Sequence, residues 1–151
     1  LIREMKRNPK VCHYLDLPIQ HASDRILKRM NRRTRKEELK EKIALLRKEM
    51  PDIALRTTII TGFPGETEED FQDTLDVVSR ASYQAAFTFI YSKRSGTPAA
   101  EFEDQVPEDV VADRMKRLMV HFPGDESLIG AVVPVLLRES KGFYYMGERR
   151  D

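Results

Sequence analysis

The spacing of apolar and polar positions changes several times along the chain, and each change marks an element. Residues 53–61, IALRTTIIT, form an apolar, β-branched run without clean alternation. Such a run suits a strand covered on both faces, as in a parallel sheet. The chain then turns through Gly62-Phe63-Pro64-Gly65 and enters a helix at Thr67, where a hydroxyl precedes the Asp70 carboxylate by three residues in a loose capping box. From Thr67 to Ala81 the period is helical, with Phe71, Leu75 and Val78 on the core face. Ala85 to Tyr91 is again strand-like, aromatic and β-branched. Earlier in the chain, Val11, His13, Leu15 and Leu17 alternate with Tyr14 and Asp16, so Val11 to Gln20 reads as a strand ending at Pro18. A short helix is expected over Asp24–Met30. Leu39, Ile43, Leu46 and Met50 recur at helical spacing before Pro51, in a helix entered through a Thr34-Arg35-Lys36-Glu37 capping box. Leu1 to Asn8 reads as the end of a helix that Pro9 breaks.

Strand, helix, strand, helix, strand implies right-handed crossovers and an α/β parallel sheet of about three strands, too few to close a barrel. Residues 101–106 are turn-like. Pro107 then opens a helix to about Met119, with Glu108 and Asp109 at its start and Arg114, Lys116 and Arg117 toward its end, as the helix dipole favours. After HFPGDES the texture changes. Leu128–Leu137 and Gly142–Gly147 read as short strands around a Ser140-Lys141-Gly142 turn, a β-type module of about 30 residues that is too short to fold alone.

A chain of 151 residues is long enough to bury a core. Charged residues make up 34% of it but almost cancel, leaving +1, so a nucleic-acid partner must be argued from local clusters. No apolar run approaches a membrane span and no leader opens the chain, so a cytoplasmic location is expected. Cys12 is the only cysteine, which rules out an internal disulfide and a self-contained cysteine metal site within these residues. Ligands of parallel α/β folds sit at the carboxyl ends of the strands. Gln20, His21 and Ser23 follow the first strand there, and Ser23 is either a ligand contact or a helix cap. The Gly62–Gly65 turn either lets backbone approach a bound group or is a tight connection only. Arg32, Arg33 and Arg35, clustered in NRRTRK, either meet RNA phosphates or form a solvated charged face.

YLDLPIQHASDRILKRMNRRT, RTTIITGFPGETEEDF and FTFIYSKRSGTPAA, followed by DQVPEDV, resemble successive strand-and-loop segments of the radical S-adenosylmethionine methylthiotransferases. The resemblance covers residues 1 to 120, and residues 121–151 resemble the last part of the small RNA-binding TRAM barrel that ends these enzymes. It implies the carboxyl-terminal half of a (β/α) radical-SAM partial TIM barrel over 1–103, a connecting helix over 104–120 and a partial TRAM-like β module over 121–151. One branch of the family (MiaB-type) methylthiolates an isopentenyl-adenosine of tRNA, and the other (RimO-type) an aspartate of a small-subunit ribosomal protein. LDLPIQHASDRILKRM and LRTTIITGFPGE are similar to the ribosomal-protein branch, whereas DTLDVV and AAFTFIYSKRSGTPAAEFEDQVPEDV are similar to the tRNA branch.

The resemblance implies S-adenosylmethionine and a [4Fe–4S] cluster, which together generate the 5′-deoxyadenosyl radical; no side chain substitutes for that metal. The family grips the cluster with CxxxCxxC and carries three further cysteines in an amino-terminal domain. Neither pattern is present, the first three barrel strands are absent, and most of the TRAM module reads as deleted between Val120 and His121. The cluster is therefore not bindable by this chain alone, and no catalytic or metal-ligating residue is assigned to it. What remains implied is orientation of the cofactor. Gln20 and Ser23 would hydrogen-bond its ribose or methionine end, and Arg56 its carboxylate, unless Arg56 is paired with an acidic residue. Gly62 and Gly65 would admit the adenine and Tyr91 would wall the pocket, unless Tyr91 is core. The family's GxIxGxxE-like pattern matches loosely, since Glu66 falls one place late. Two alternatives to a catalytically silent part of the enzyme stand beside it. One is an RNA- or ribosome-binding module using Arg32, Arg33, Arg35 and the Arg149-Arg150 tail. The other is a half-barrel that complements a missing amino-terminal half through its open sheet edge.

Overall fold

A computed structural model describes residues 1–121, 135–140 and 145–149. Helix α1 (Ile2–Arg7) precedes a βα series of β1 (Tyr14–Asp16), α2 (Asp24–Arg29), α3 (Lys36–Glu49), β2 (Ala54–Thr61), α4 (Glu68–Ala81) and β3 (Ala85–Ile90). A 3-10 turn (Pro98–Glu101) leads to α5 (Glu108–Met119). The three strands form one parallel sheet in the order β1-β2-β3, as the alternation of strands and helices requires. In the last part, β4 (Val120–His121) pairs parallel with β6 (Tyr145–Arg149), and β6 pairs antiparallel with β5 (Val135–Ser140). Ser140 lies within β5, opposite Tyr145, rather than in a turn. The rest of the expected strand and turn, 128–134 and 141–144, falls outside the described residues.

The core lies between the sheet and α3 and α4. Leu39, Ile43, Leu46 and Met50 bury the predicted stripe of α3 against Leu55 and Ile59 of β2 and Phe71, Val77 and Ala81 of α4. The sequence places Leu75 and Val78 at the centre of the α4 face. The structure moves the centre to Phe71, Thr74 and Val77 and leaves Leu75 and Val78 packed at its margin. The expected burial of β2 on both faces also fails. Leu55, Thr57, Ile59 and Thr61 are buried, while the alternate residues Ala54, Arg56, Thr58 and Ile60 are only half-buried. Helices cover one face, and the opposite face is open enough to hold Arg56.

The first strand is shorter than its pattern. Regular pairing covers Tyr14–Asp16, Pro18 interrupts it, and Gln20 rejoins β2 through a single bridge to Ile59. Val11 stays exposed. At the start of α3 the Thr34 capping box does not form. The helix begins at Lys36, whose backbone N–H donates to Asp24 Oδ1 of α2 at 2.6 Å, so a neighbouring helix supplies the cap. The Thr67 box forms fully: Thr67 and Asp70 satisfy each other's backbone N–H groups.

Candidate functional site

The carboxyl ends of β1 and β2 meet over one buried carboxylate. Glu66, whose side chain is 0% exposed, folds back into its own turn and accepts from Gly62 N at 2.8 Å and Phe63 N at 3.3 Å. Positive φ at Gly62 (75°) and Gly65 (79°) gives the turn the concavity that aims these N–H groups inward. Arg114 of α5 donates to Glu66 Oε1 at 2.9 Å and to its backbone carbonyl at 3.1 Å. From the loop after β1, His21 Nε2 lies 3.3 Å from Glu66 Oε2, in electrostatic contact outside hydrogen-bond geometry. His21 Nδ1 accepts from the Ser23 backbone N–H at 3.0 Å, so the ring proton sits on Nε2 and faces the carboxylate.

A second carboxylate ties α2 to α4. Asp70 accepts from Ser23 Oγ at 2.5 Å, from Arg25 and from Thr67. Burial opposes its ionisation, but the hydrogen bonds from Arg25, Ser23 and Thr67 outweigh burial and hold its pKa down at about 2. An Asp depressed in the fold contributes stability above its unfolded value of 3.8 and loses it as pH falls toward 2. We expect Asp70→Asn to lower the unfolding free energy at pH 7 by roughly 2 kcal/mol. Denaturant titrations from pH 7 to pH 2 should show that deficit closing below pH 4; a deficit that is constant with pH would contradict the assignment.

The sequence-predicted residues divide between these networks and the space beside them. Ser23 caps α2 by accepting from Ile26 N and is bonded to Asp70, so both of its hydroxyl functions have protein partners. Arg56 lies in the amino half of β2, paired with Asp16 and stacked 4.6 Å from the Phe87 ring centre. Gln20 stands at the end of the β1 segment with φ 67°, its N–H donating to Thr58 O and its carbonyl accepting from Ile60 N. A non-glycine residue held there stores backbone strain. A Cβ at Gly62 would lie 2.6 Å from Val111 Cγ2, and one at Gly65 would run into Asp104. The protein's own side chains therefore occupy the space that these glycines free.

Gly62 and Tyr91 come together in a cavity of about 640 Å³, walled also by Ile90, Lys93, Gln105 and the α5 residues Glu108 and Val111. Tyr91 packs edge-on to Phe63, ring centres 5.1 Å apart, and its hydroxyl is buried without a hydrogen-bond partner among the described residues. Arg32, Arg33 and Arg35 lie between α2 and α3, on the rim where both return helices start. All three are exposed, and none forms an ion pair among the described residues. Sequence reasoning missed Arg25 altogether. It read Asp70 as a helix cap, Glu66 as a motif residue one place late and Arg114 as a helix-end cation, and placed none of the three at the site.

A cavity of this volume with an aromatic wall has room for the nucleoside part of S-adenosylmethionine. The residues do not fit a [4Fe–4S] cluster. Cys12 is exposed at the amino end of β1, across the sheet from this rim, and no group of three or more potential ligands occurs among the described residues.

A sequence profile of the Radical SAM superfamily matches residues 1–78. The chain is 42% identical to a tRNA-2-methylthio-N(6)-dimethylallyladenosine synthase of Lachnoclostridium phytofermentans, over 100% of this chain and 42% of the relative. That alignment runs over 194 positions against 151 residues here. It is 58% identical to the ribosomal protein uS12 methylthiotransferase RimO of Geobacter sulfurreducens, over 79% of this chain and 27% of the relative. An Acetivibrio thermocellus protein named as the tRNA synthase is 49% identical over 91% of this chain and 30% of its own length. The chain thus spans less than half the length of these curated relatives. No described helix is long and apolar enough to cross a membrane.

Proposed function

Because the chain belongs to the radical SAM superfamily, we propose that it provides the carboxyl-terminal strands of a methylthiotransferase barrel and orients the nucleoside end of S-adenosylmethionine. Residues 1–103 are the barrel portion, 104–120 the connecting helix and 121–151 a TRAM-like module, in a cytoplasmic protein. The alignment to the Lachnoclostridium relative has more positions than this chain has residues, so part of the aligned relative has no counterpart here. Tyr91 walls the cavity for the bound nucleoside, Gly62 shapes its floor, and Gln20 stands where the ribose and methionine would extend over the open sheet face. Ser23 and Arg56 act through the neighbours they hold. The substrate is a tRNA adenosine or a ribosomal-protein aspartate, since relatives of both kinds match. When bound, the cofactor supplies radical chemistry only beside a cluster held by other residues. The half-buried face of β2 and the exposed Tyr14, Phe89 and Ile90 suit packing against further barrel strands.

The cavity between Gly62 and Tyr91 carries this reading. S-adenosylhomocysteine, which cannot be cleaved to a radical, is the probe. Calorimetric titration should show binding that Tyr91→Ala, which removes the aromatic wall, weakens by about fivefold to tenfold. No binding at millimolar concentration, or binding indifferent to Tyr91→Ala, would sink it.

A second reading rests on the three exposed, unpaired arginines. Arg32, Arg33 and Arg35 present a compact positive face beside the site, suited to the phosphates of an RNA substrate. Replacing all three by alanine should reduce the slope of log affinity for tRNA against log salt by about 2 to 3. An unchanged slope would assign these residues to solvent.

A further inference from the structure

We infer that Arg114 is a positioning residue for the nucleoside cavity: acting from α5 through the Glu66 carboxylate, it sets the shape of the Gly62–Gly65 turn. The inference rests on the reading of that cavity given above. One face of α5 meets the site in order. Glu108 and Val111 wall the cavity, Val111 also fills the space above Gly62, Arg114 grips Glu66, and Leu118 enters the core. Arg117 adds a bond to Glu68 at 2.6 Å, and both guanidinium groups lie over the Phe71 ring. The Glu66 carboxylate receives Arg114 at one oxygen and the Gly62 and Phe63 N–H groups at the other. A shift of α5 therefore transmits to the turn through a single rigid group. There is no slack to absorb it, because Val111 already stands at contact distance from Gly62.

Stability alone gives a weak reason for this arrangement. A buried ion pair is often no more stabilising than apolar residues of the same volume, whereas its fixed geometry specifies one conformation. Because α5 runs directly into β4, the cavity wall and the carboxyl-terminal strands share one helix.

The test compares the parent chain with Arg114→Lys, Arg114→Met, Glu66→Gln and the core control Leu118→Val. S-adenosylhomocysteine affinity and amide exchange at Gly62 and Phe63 are read at a temperature where every variant compared is folded. Arg114→Met should weaken binding about tenfold or more and speed exchange at both amides, while Arg114→Lys, which keeps the charge, recovers to within about threefold of the parent. Leu118→Val should lower thermal stability without moving affinity by more than about twofold. If Arg114→Met does not fold, Glu66→Gln, which keeps the side-chain shape but presents a donor to Arg114, carries the same expectation for affinity. Unchanged affinity in Arg114→Met or Glu66→Gln, or an equal loss in Leu118→Val, would reduce Arg114 to a structural residue. Absence of binding to the parent chain would instead overturn the cavity reading, and this inference with it.

Discussion

Replacing Glu66 by alanine is expected to lower the free energy of unfolding by about 3–5 kcal/mol, the cost of leaving a buried charge without its counter-ion. The side chain is fully buried and serves four donors: Gly62 N, Phe63 N, the Thr61 hydroxyl and Arg114. Alanine strands all four at once. Arg114, only 5% exposed, then has its bond to the Glu66 carbonyl and a 3.6 Å approach to Glu68 in place of a dedicated partner. Glutamine should cost less, because its carbonyl oxygen still accepts from the turn, while its amide NH2 faces Arg114 donor to donor. Urea titrations at pH 7 would show the alanine midpoint well below the glutamine midpoint, with the slope in denaturant unchanged. A loss under about 1 kcal/mol would mean that Arg114 finds water and that the turn holds itself.

What could be read from the sequence follows how far each stabilising contact reaches along the chain. Thr67 and Asp70 lie within one turn, so α4 is legible to the residue, cap included. Strands β2 and β3 announce themselves through β-branched and aromatic residues, and each begins within one residue of its expected place. The start of α3 shows the opposite. Thr34 stands where a local cap belongs, yet Asp24, twelve residues before Lys36, accepts from that helix N–H. Local propensity names a plausible partner, and tertiary packing chooses a nearer one. The alternation within β2 was masked because Thr57 and Thr61 occupy the buried face while Ile60 occupies the open one. Only the Arg56 position hinted at an open side. At the rim, Ser23 answers two readings at once, since the hydroxyl that caps α2 also bonds Asp70, 47 residues away. Glu66 reads as a misaligned motif residue until Arg114, 48 residues later, is placed beside it. Contacts of that span leave no periodic trace.

The opposite rim of the sheet gives the contrasting case. Arg47→Ala is expected to cost about 2–3 kcal/mol, because several carbonyls there depend on one guanidinium. From the last turn of α3, Arg47 donates to the carbonyls of Ile53 at 2.5 Å, Ala81 at 3.1 Å and Ser82 at 2.6 Å, and to the Gln84 side chain. Ala81 and Ser82 close α4, whose last carbonyls have no intrahelical donor and whose dipole favours a cation there. Ser82 adopts the left-handed conformation without being glycine (φ 49°), so the turn into β3 relies on outside support. Lysine has one rotatable ammonium in place of a planar fork and should restore less than half of the loss. The effect should be confined to stability. Arg47 lies at the amino ends of β2 and β3, where parallel α/β folds keep their structural residues, away from the strand ends that meet ligands. Thermal destabilisation by both Arg47→Ala and Arg114→Met, with S-adenosylhomocysteine affinity lost only in the second, is the expected outcome. Loss of affinity in Arg47→Ala at a temperature where the chain is folded would show that the two rims do not act separately.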